Sequence, residues 1–562
     1  MAPNIAQRLS STLPSGRLTL NLQNVSTTPF PDQLPGTAGL RRKVVIFRQP
    51  HYLENFLQSI FDSAGEFRGS TIVAGGDGRF FNREALQTLA EMAAANGVAR
   101  LIVGAGGLLS TPAASLLIRD RAALGGFLLT ASHNPGGPEG DFGLKFNTAS
   151  GGQASEALTD RIFQTSRSLS RYSTADLGQL DFDRIGEQRH GELLLEIVDP
   201  VSGYADKMES LFDFERIREL FSGGFRMRFD AMHAVTGPYA QELFVRRLGA
   251  SPDSVANGSP LEDFGGGHPD PNPVDAADLV RLMDTEQAPD FAAASDGDGD
   301  RNMILGRGLM VSPGDSLAIL AANAHLVPGY ASGLAGVARS MPTSRAVDVV
   351  AERLGIPCFE TPTGWRFFCN LLEAGKIDLC GEESFGTSSS HAREKDGLWA
   401  VLFWLNLLAV SGKDVPTLVT DHWRKYGRHV YCRHDYFITD SNLGREVFAG
   451  LESSVGKLVG RNCGRAEICQ ADIFSYHDPV DGSISDHQGV RVVLTDGSRI
   501  VFRLSGTGTS GATMRIYLER FIPSGQDCTG AAAQLTAELG QSARDIARLP
   551  DLTGLSQPSG II

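Results

Sequence analysis

Several features are scarce or missing in this 562-residue chain. No apolar run approaches the roughly 20 residues that a transmembrane helix needs, so no membrane span is expected. All seven cysteines lie in the second half, from Cys358 to Cys528. Because their number is odd and no Cys or His pairs have zinc spacing, we interpret them as reduced, mostly buried thiols of a cytoplasmic protein.

The charge balance excludes a further class of proteins. A formal net charge of −14 argues against a general nucleic-acid binder. It leaves room for a phosphorylated substrate, because a local basic pocket can lie in an acidic protein. The motif G-x-x-x-x-G-K-[ST] is absent, which argues against a P-loop nucleotide triphosphatase. Protein partners cannot be inferred from these patterns.

The first 24 residues contain no Asp or Glu but do contain two Arg and several Ser. This composition weakly resembles a transit peptide. A flexible N-terminal extension over residues 1–24 is the preferred interpretation.

The pattern after residue 25 predicts α/β units. We expect strands at 44–47, 71–74, 99–104 and 333–337, helices at 52–64, 82–96, 204–220 and 237–248, and weakly helical polar sequence over 150–190. Length alone suggests roughly three to four domains. We place domains at 25–203, 204–317, 318–428 and 429–562.

Residues 130–137, with the sequence TASHNPGG, follow a mostly apolar segment. Asn-Pro-Gly-Gly forces a turn, because Pro fixes φ and Gly supplies positive φ. The turn sets the Ser132 hydroxyl beside the His133 imidazole, as suits a nucleophile or a phosphate carrier. A polar turn with a capping serine is an equally good interpretation of this segment alone.

Residues 296–301 read DGDGDR after a predicted buried strand. Asp296, Asp298 and Asp300 can converge on one hard cation, and oxygen ligands suit Mg²⁺. An EF-hand is excluded, because Arg301 stands where that loop needs Gly and Arg307 where it needs Glu. A solvated acidic turn is the remaining alternative, although three adjacent carboxylates repel one another without a cation.

Three further segments carry polar or cationic side chains. Loops around Thr363 and Glu382 suit sugar hydroxyls, which need both donors and acceptors. Residues 503–511, RLSGTGTSG, contain a formal G-x-G-x-x-G, but a strand is predicted after it, so we reject a dinucleotide site. Arg503 and Arg515 with the hydroxyls between them suit a phosphate instead. The Gly-rich loop at 32–43 ends in three cations and is either a second phosphate loop or a solvated turn.

Together these segments indicate metal-assisted phosphoryl transfer at Ser132. The chain resembles the α-D-phosphohexomutase superfamily, and within it the phosphoglucomutases. The matching segments are TASHNPGG at 130–137, DGDGDR at 296–301, GEESFG at 381–386 and RLSGTG at 503–508, in family order.

The resemblance implies four domains around a central cleft, three related α/β domains and a smaller α+β C-terminal domain. It implies a cytoplasmic enzyme that carries phosphate on Ser132 and interconverts glucose 1-phosphate and glucose 6-phosphate through glucose 1,6-bisphosphate. Mg²⁺ would bind the Ser132 phosphate and the three aspartates. The implied catalytic residues are Ser132, His133, Lys145, Arg41 and Lys395. The implied substrate-binding residues are Arg301, Thr363, Gly364, Glu382, Ser384, Arg503, Ser505, Gly506, Thr507 and Arg515.

One departure from the family pattern is Ala38, where the family usually has Ser. Losing a hydroxyl near the phosphate could weaken the site modestly. Two other enzymes are alternatives, a mutase for another hexose phosphate and a serine phosphatase; the second phosphate loop argues against the phosphatase. A weakly active or inactive scaffold or signalling protein is the alternative from another class, and the intact Ser132 and three Asp argue against it.

Overall fold

The structure is a computed structural model that describes residues 21–36, 38–505 and 511–562. The first 20 residues of the expected N-terminal extension lie outside this part of the chain. Of the remainder, Leu22–Ser26 is a strand that pairs antiparallel with Arg171–Ala175. The described chain therefore becomes regular slightly before the expected boundary at residue 25.

The first sheet has seven strands, and its centre is parallel. Gly125–Leu129, Thr71–Gly76, Arg100–Leu108 and Leu193–Val198 run parallel, and antiparallel strands flank them on both sides. In order across the sheet the strands are Leu40–Lys43, Asp141–Thr148, Gly125–Leu129, Thr71–Gly76, Arg100–Leu108, Leu193–Val198 and Gly186–His190. The helices of this unit are Val44–Phe47, Tyr52–Ser63, Asn82–Ala95, Thr111–Asp120 and Glu156–Ser166.

The second sheet is smaller and follows the same plan. Its order is Val255–Ala256, Met227–Asp230, Phe291–Ala294, Met303–Gly306 and Leu309–Val311. The helical segments of this unit are Ser202–Leu211, Phe214–Ser222, Thr236–Ala240, the π-helix Gln241–Arg247, the 3₁₀ turns Pro252–Ser254 and Phe264–Gly266, and Ala277–Met283.

The third sheet has four strands, in the order Cys358–Thr361, Val337–Ser340, Leu379–Glu382 and Gly386–Ser389. Its helical segments are Pro313–Asn323, Ala324–Leu326, Pro328–Tyr330, Ala346–Leu354, Trp365–Glu373, Gly397–Ser411 and Val415–Tyr426. One apolar core runs from the first unit through the second into the third.

The fourth sheet is antiparallel. Its order is Asn462–Cys463, Ala466–Ile473, Val490–Leu494, Arg499–Ser505, Ala512–Ile522, Arg428–Ile438 and Gly560–Ile561. Tyr476–His477 and Ile484–Ser485 form a separate hairpin, and the helical segments are Ser441–Ser454, Val455–Lys457, Ala532–Leu535, Ala537–Ile546 and Leu549–Thr553. This sheet has its own apolar core.

Several local predictions were wrong. Residues Val44–Phe47 form one helical turn, because Val44 and Phe47, three positions apart, are both buried on one face. The predicted helix at 204–220 is two helices, since Phe212 is extended and Asp213 caps the second helix. The sequence at 150–190 forms a helix only over Glu156–Ser166 and otherwise contains strands.

Two more predictions differ from the structure. The helix predicted at 237–248 continues as a π-helix from Gln241. The strand predicted at 333–337 begins only at Val337, after Gly333 with φ +96°. The domain boundaries placed at 203 and 317 stay predictions; the helices at these positions are Ser202–Leu211 and Pro313–Asn323.

The cysteine prediction is confirmed, because all seven thiols are free and four of them are buried. No single helix of the described residues is both long and apolar enough to cross a membrane. One pair, Gly397–Ser411 with Val415–Tyr426, meets the criteria of length and composition only jointly, and it bends by 85° at its break.

Candidate active site

Three polar loops occupy the same position in the first three sheets. Each joins a parallel strand to the antiparallel strand beside it, and the loops lie at 130–140, 295–302 and 383–385. The loops touch one another. Arg301 forms a β-bridge with Gly386, and a Cβ on Gly297 would lie 2.3 Å from the Ser132 carbonyl oxygen. The repeated connection therefore brings a hydroxyl, three carboxylates and a polar loop to one place.

The Ser132 loop is fixed from below by a buried ion pair. Arg79 Nε lies 2.9 Å from Asp77 Oδ2, and both side chains are fully buried. Arg79 also donates a 2.7 Å hydrogen bond to the Ser132 carbonyl oxygen, and Thr130 donates one of 2.6 Å to Asp77. These contacts hold Ser132 at φ +52°, a conformation that a non-glycine residue rarely adopts without such support.

The Ser132 hydroxyl points at the second loop. It donates a 2.7 Å hydrogen bond to Asp296 Oδ2, and His133 Nδ1 lies 3.3 Å from Ser132 Oγ. Burial and the cations Arg301 and Arg41 hold the pKa of His133 well below its usual range. The imidazole is therefore neutral near pH 7.

The three aspartates form a buried cluster. One oxygen of each lies within 4.8 Å of the others. Asp296 accepts hydrogen bonds from the amides of Asp300 and Arg301, and Asp298 accepts one of 2.8 Å from Thr111. Asp298 Oδ1 and Asp300 Oδ1 are buried without a hydrogen-bond partner among the described residues.

The pKa values of the three aspartates are shifted in different directions. Burial, then repulsion by Asp300 and Asp298, raises the pKa of Asp296 well above its usual range. Burial also raises the pKa of Asp300, to about 6. Burial would raise the pKa of Asp298 too, but Lys145, the hydrogen bond from Thr111 and the charge of Arg41 together lower that value to about 2. Orphaned carboxylate oxygens under mutual repulsion are the donor set that a divalent cation fits.

Cations surround these carboxylates. Lys145 Nζ lies 3.9 Å from Asp298 and 3.3 Å from Glu394, and Lys395 Nζ lies 3.2 Å from both Asp300 and Glu382. Burial opposes the charge on Lys395, but these two carboxylates raise its pKa above the usual range.

Arg41 and Arg301 join Lys145 and Lys395 around the carboxylates, and these four cations are called the cationic wall. Arg301 pairs with Asp270 at 3.0 Å; burial lowers the pKa of Arg301, but Asp270 and Asp296 raise it more. Burial lowers the pKa of Arg41, and its Nε has no partner among the described residues. The wall can therefore receive an anion that bears several negative charges.

The third loop continues the site. Ser384 donates a 2.7 Å hydrogen bond to Glu382, whose pKa burial would raise but Lys395 lowers. Thr363 Oγ1 is buried without a described partner, and Gly364 has φ +131°, which other residues rarely adopt. Lys395, which lies 3.2 Å from both Glu382 and Asp300, thus links this loop to the aspartate cluster.

The cations of the fourth sheet form a second group. Arg503 and Arg515 are directly opposed on neighbouring strands, and Ser505 ends the strand Arg499–Ser505. Gly506 and Thr507 lie outside the described residues. A strand, Ala512–Ile522, follows the loop, as predicted when the dinucleotide site was rejected. Within the described ranges no hydrogen bond or ion pair joins these arginines to Ser132.

Comparison with known proteins covers nearly the whole chain. The family models for phosphoglucomutase/phosphomannomutase α/β/α domains I, II and III match residues 32–173, 202–308 and 313–426. A model of the phosphoglucomutase-1 C-terminal domain matches residues 428–559. The chain belongs to the phosphoglucomutase/phosphomannomutase family.

Relatives within this family are similar over their full length. A phosphoglucomutase of Rhizobium radiobacter is 53% identical, with 96% of this chain and 100% of that protein covered. A chloroplastic phosphoglucomutase of Arabidopsis thaliana is 49% identical over 99% of this chain and 92% of that one. A cytoplasmic phosphoglucomutase of Bromus inermis is 49% identical over 95% of this chain and 98% of that protein.

A solved structure supports the same assignment. The open form of the exocytosis-sensitive phosphoprotein pp63/parafusin, a phosphoglucomutase from Paramecium, is 46% identical. It covers 96% of this chain and 99% of its own, with a TM-score of 0.90. The predicted fold, with three related α/β domains and a C-terminal domain, is confirmed.

The structure adds residues that the sequence patterns did not reveal in this member of the phosphoglucomutase/phosphomannomutase family. Asp77 and Arg79 lie in the turn after the strand Thr71–Gly76, Thr111 begins a helix and Glu394 lies in a polar run; none of the four was among the predicted site residues. Arg79, Thr111 and Glu394 each contact a predicted site residue, and Asp77 pairs with Arg79. Their only signal was a charged or hydroxyl residue next to a strand end or a helix start.

Proposed function

We propose that this enzyme is a phosphoglucomutase that interconverts glucose 1-phosphate and glucose 6-phosphate through phosphorylated Ser132. One observation carries the proposal. The Ser132 hydroxyl meets Asp296 at 2.7 Å, inside a buried cluster of carboxylates and cations assembled from three sheets. A hydroxyl in such surroundings suits phosphoryl transfer, where positioning and charge stabilisation supply most of the catalysis.

The reaction begins with glucose 1-phosphate and phosphorylated Ser132. The sugar O6 hydroxyl gives its proton to a base of the site and forms a bond to phosphorus, while the bond from phosphorus to Ser132 Oγ breaks and that oxygen gains a proton, which gives glucose 1,6-bisphosphate. The bisphosphate then reorients in the cleft, and its 1-phosphate is transferred to Ser132, leaving glucose 6-phosphate. The number of phosphate groups is unchanged in each turnover.

The cations act on the transferring group. We assign Arg41, Arg301 and Lys145, which lie beside the aspartate cluster, to the transferring phosphoryl group. Their positive charges would stabilise the negative charge that its oxygens gather during transfer. His133 and Lys145 are the acid–base residues in this proposal. We assign His133 to the Ser132 oxygen, because the neutral ring nitrogen lies 3.3 Å from it.

The residues fit a divalent cation. Asp296, Asp298 and Asp300, with the phosphate on Ser132, would hold Mg²⁺, which supplies positive charge to phosphoryl oxygens. The orphaned oxygens Asp298 Oδ1 and Asp300 Oδ1 support this assignment.

The remaining residues bind the sugar and its second phosphate. Glu382 and Ser384, with Thr363 and Gly364, would bind the hydroxyls, and Lys395 would reach the substrate from its position between Asp300 and Glu382. Arg503, Ser505 and Arg515, with Gly506 and Thr507, would hold the phosphate that is not transferred. A separate phosphate site explains how either end of the bisphosphate can react.

The assignment of the phosphate loop to the fourth domain is part of this proposal. The cytoplasm as the compartment of this protein is also part of the proposal. The relatives are named both cytoplasmic and chloroplastic.

The test is a steady-state assay of glucose 6-phosphate formation from glucose 1-phosphate, Mg²⁺ and a trace of glucose 1,6-bisphosphate. Mannose 1-phosphate is assayed in parallel. We expect fast turnover of the glucose substrate, removed by EDTA and restored by Mg²⁺. Absent turnover with retained phosphosugar binding would favour a scaffold, and preference for mannose would favour a mutase for another hexose phosphate.

A further inference from the structure

Glu394 belongs to the third unit, but the hydrogen bonds and ion pair of its side chain among the described residues are to the first unit. It is fully buried. Its Oε1 lies 3.3 Å from Lys145 Nζ and accepts a 2.9 Å hydrogen bond from Asn147 Nδ2, while Oε2 accepts one of 3.1 Å from Gln153 Nε2. Both carboxylate oxygens are therefore engaged by residues of one short segment, 145–153.

The backbone on either side of Glu394 is fixed. The Arg393 amide donates a 2.9 Å hydrogen bond to Ser115, and the Asp396 amide donates one of 3.0 Å to the Thr387 carbonyl. The side chain of Lys395, the next residue, pairs instead with Asp300 and Glu382. The Glu394 carboxylate is thus held in place and cannot follow Lys145 if that side chain moves.

We propose that Glu394 is a positioning residue that holds the Lys145 ammonium at the phosphoryl-transfer site. Lysine carries its charge on a flexible four-carbon stem, so its ammonium needs an external partner to stay in one place. Among the described residues two carboxylates lie within 4 Å of Lys145, Glu394 at 3.3 Å and Asp298 at 3.9 Å. Without Glu394 the ammonium relaxes toward Asp298 and leaves its working position.

This inference rests on the proposed role of Lys145, so its test separates the two. The first measurement does not depend on turnover. Acetylation of Lys145 by acetic anhydride is followed by peptide mass spectrometry in the wild type, Glu394→Gln and Glu394→Asp. We expect several-fold faster acetylation of Lys145 in Glu394→Gln, because the amine loses its fixed partner, and a smaller change in Glu394→Asp, which keeps the charge.

The matched control is Glu373→Gln. Glu373 is an ion-pair partner of Arg393, next to Glu394 in sequence, but it has no contact with Lys145. We expect wild-type acetylation of Lys145 and wild-type kinetics in this variant. A rise in Lys145 reactivity in Glu373→Gln as large as in Glu394→Gln would mean that general loosening of the segment, and not Glu394, controls Lys145.

The second measurement uses kinetics. We expect Glu394→Gln to lower kcat by about ten- to a hundredfold with little change in KM, since small misplacements of a reacting group cost factors of this size. In a Lys145→Ala background the same substitution should add almost nothing, because a residue that acts through another is non-additive with it. Partial recovery in Glu394→Asp is expected.

The outcomes are distinct. Wild-type reactivity of Lys145 in both Glu394 variants overturns the positioning role, whatever the kinetics. Multiplicative losses in the double variant, or a change in KM alone, also overturn it and indicate a purely structural or substrate-binding role. If the wild type forms no glucose 6-phosphate, the proposed function fails, while the acetylation result still decides whether Glu394 holds Lys145.

Discussion

Arg79 bonds through one end of its guanidinium to the Asp77 carboxylate and through the other to the Ser132 carbonyl oxygen. Because the pair is fully buried, neither charge can be removed without leaving its partner unpaired away from water. The conformation of the candidate nucleophile thus depends on a charge pair that lies more than 50 residues before it in the sequence.

Breaking this pair should damage both stability and activity. We expect Arg79→Leu or Asp77→Asn to lower the free energy of unfolding by about 3–5 kcal/mol, because one buried charge or acceptor is left uncompensated. Urea denaturation measures the change. The matched control is Arg83→Gln, which breaks an exposed pair with Asp183 and should change stability little. If Arg83→Gln lowered the free energy of unfolding as much as Arg79→Leu or Asp77→Asn, the buried pair would have no special role.

Removing the Ser132 hydroxyl should separate chemistry from folding. We expect Ser132→Ala to abolish mutase turnover while its thermal midpoint stays close to wild type, since only one hydroxyl and its hydrogen bond to Asp296 are lost. The coupled assay and a thermal melt measure the two quantities. Near-wild-type activity in this variant would refute the phosphoserine mechanism.

Arg503→Ala should act mainly on binding. Its partner across the strand pair, Arg515, remains, so we expect a several-fold higher KM for glucose 1-phosphate with a smaller effect on kcat. Steady-state kinetics check this split. Arg461→Ala, an exposed arginine of the same sheet unit, is the control. An unchanged KM in Arg503→Ala would count against the phosphate site.

The contact between the third and fourth units should depend on Glu360. Its Oε1 accepts from Arg339 at 2.9 Å and from Arg499 at 3.2 Å, and Arg491 bonds to its other oxygen. We expect Glu360→Gln to lower the unfolding midpoint and raise KM, because the fourth sheet carries the proposed phosphate loop. Glu446→Gln, which replaces an exposed acid of the fourth unit, is the comparison. A lower midpoint with wild-type KM would restrict Glu360 to stability.

Acid should destabilise the protein through His422. Burial, with His429 and Lys425 nearby, lowers the pKa of His422 to about 3, and neither ring nitrogen has a partner among the described residues. Between pH 3 and the usual value of 6.5 the unfolded chain binds a proton that the folded chain does not. The stabilising contribution of the neutral ring is therefore full above pH 6.5 and is lost progressively as the pH falls toward 3, by up to about 1.4 kcal/mol per pH unit.

His422→Phe should reduce this slope, which chemical denaturation at a series of pH values measures. The replacement retains an aromatic ring beside Tyr426, against which His422 packs. His477→Phe, at an exposed position, controls for the loss of an imidazole. An identical slope in wild type and His422→Phe would rule out His422 as the titrating group.

Much of the site was predictable because its chemistry lies in short contiguous segments. The DGDGDR loop follows a buried strand and the TASHNPGG turn follows another, so local patterning placed the three aspartates and Ser132 at strand ends. The rest depended on contacts between distant segments. Nothing in the polar run 393–396 indicates that Glu394 and Lys395 point to different units.

The errors in the fold have a similar cause. The strand predicted at 44–47 rested on β-branched residues, but packing buried Val44 and Phe47 on one side and left Val45 exposed. Tertiary contacts overrode local propensity there. At 204–220 the helical pattern was correct on both sides, and a single extended residue, Phe212, divides it.

The three equivalent loops divide one site among three units of a single chain. Each of the first three units contributes a different group at the same structural position, and none holds a complete set. A fragment containing one unit would therefore lack two of the three groups, which are the hydroxyl, the carboxylates and the third polar loop. Separately expressed units could regain activity only by reassembling, as subunits of an oligomer do.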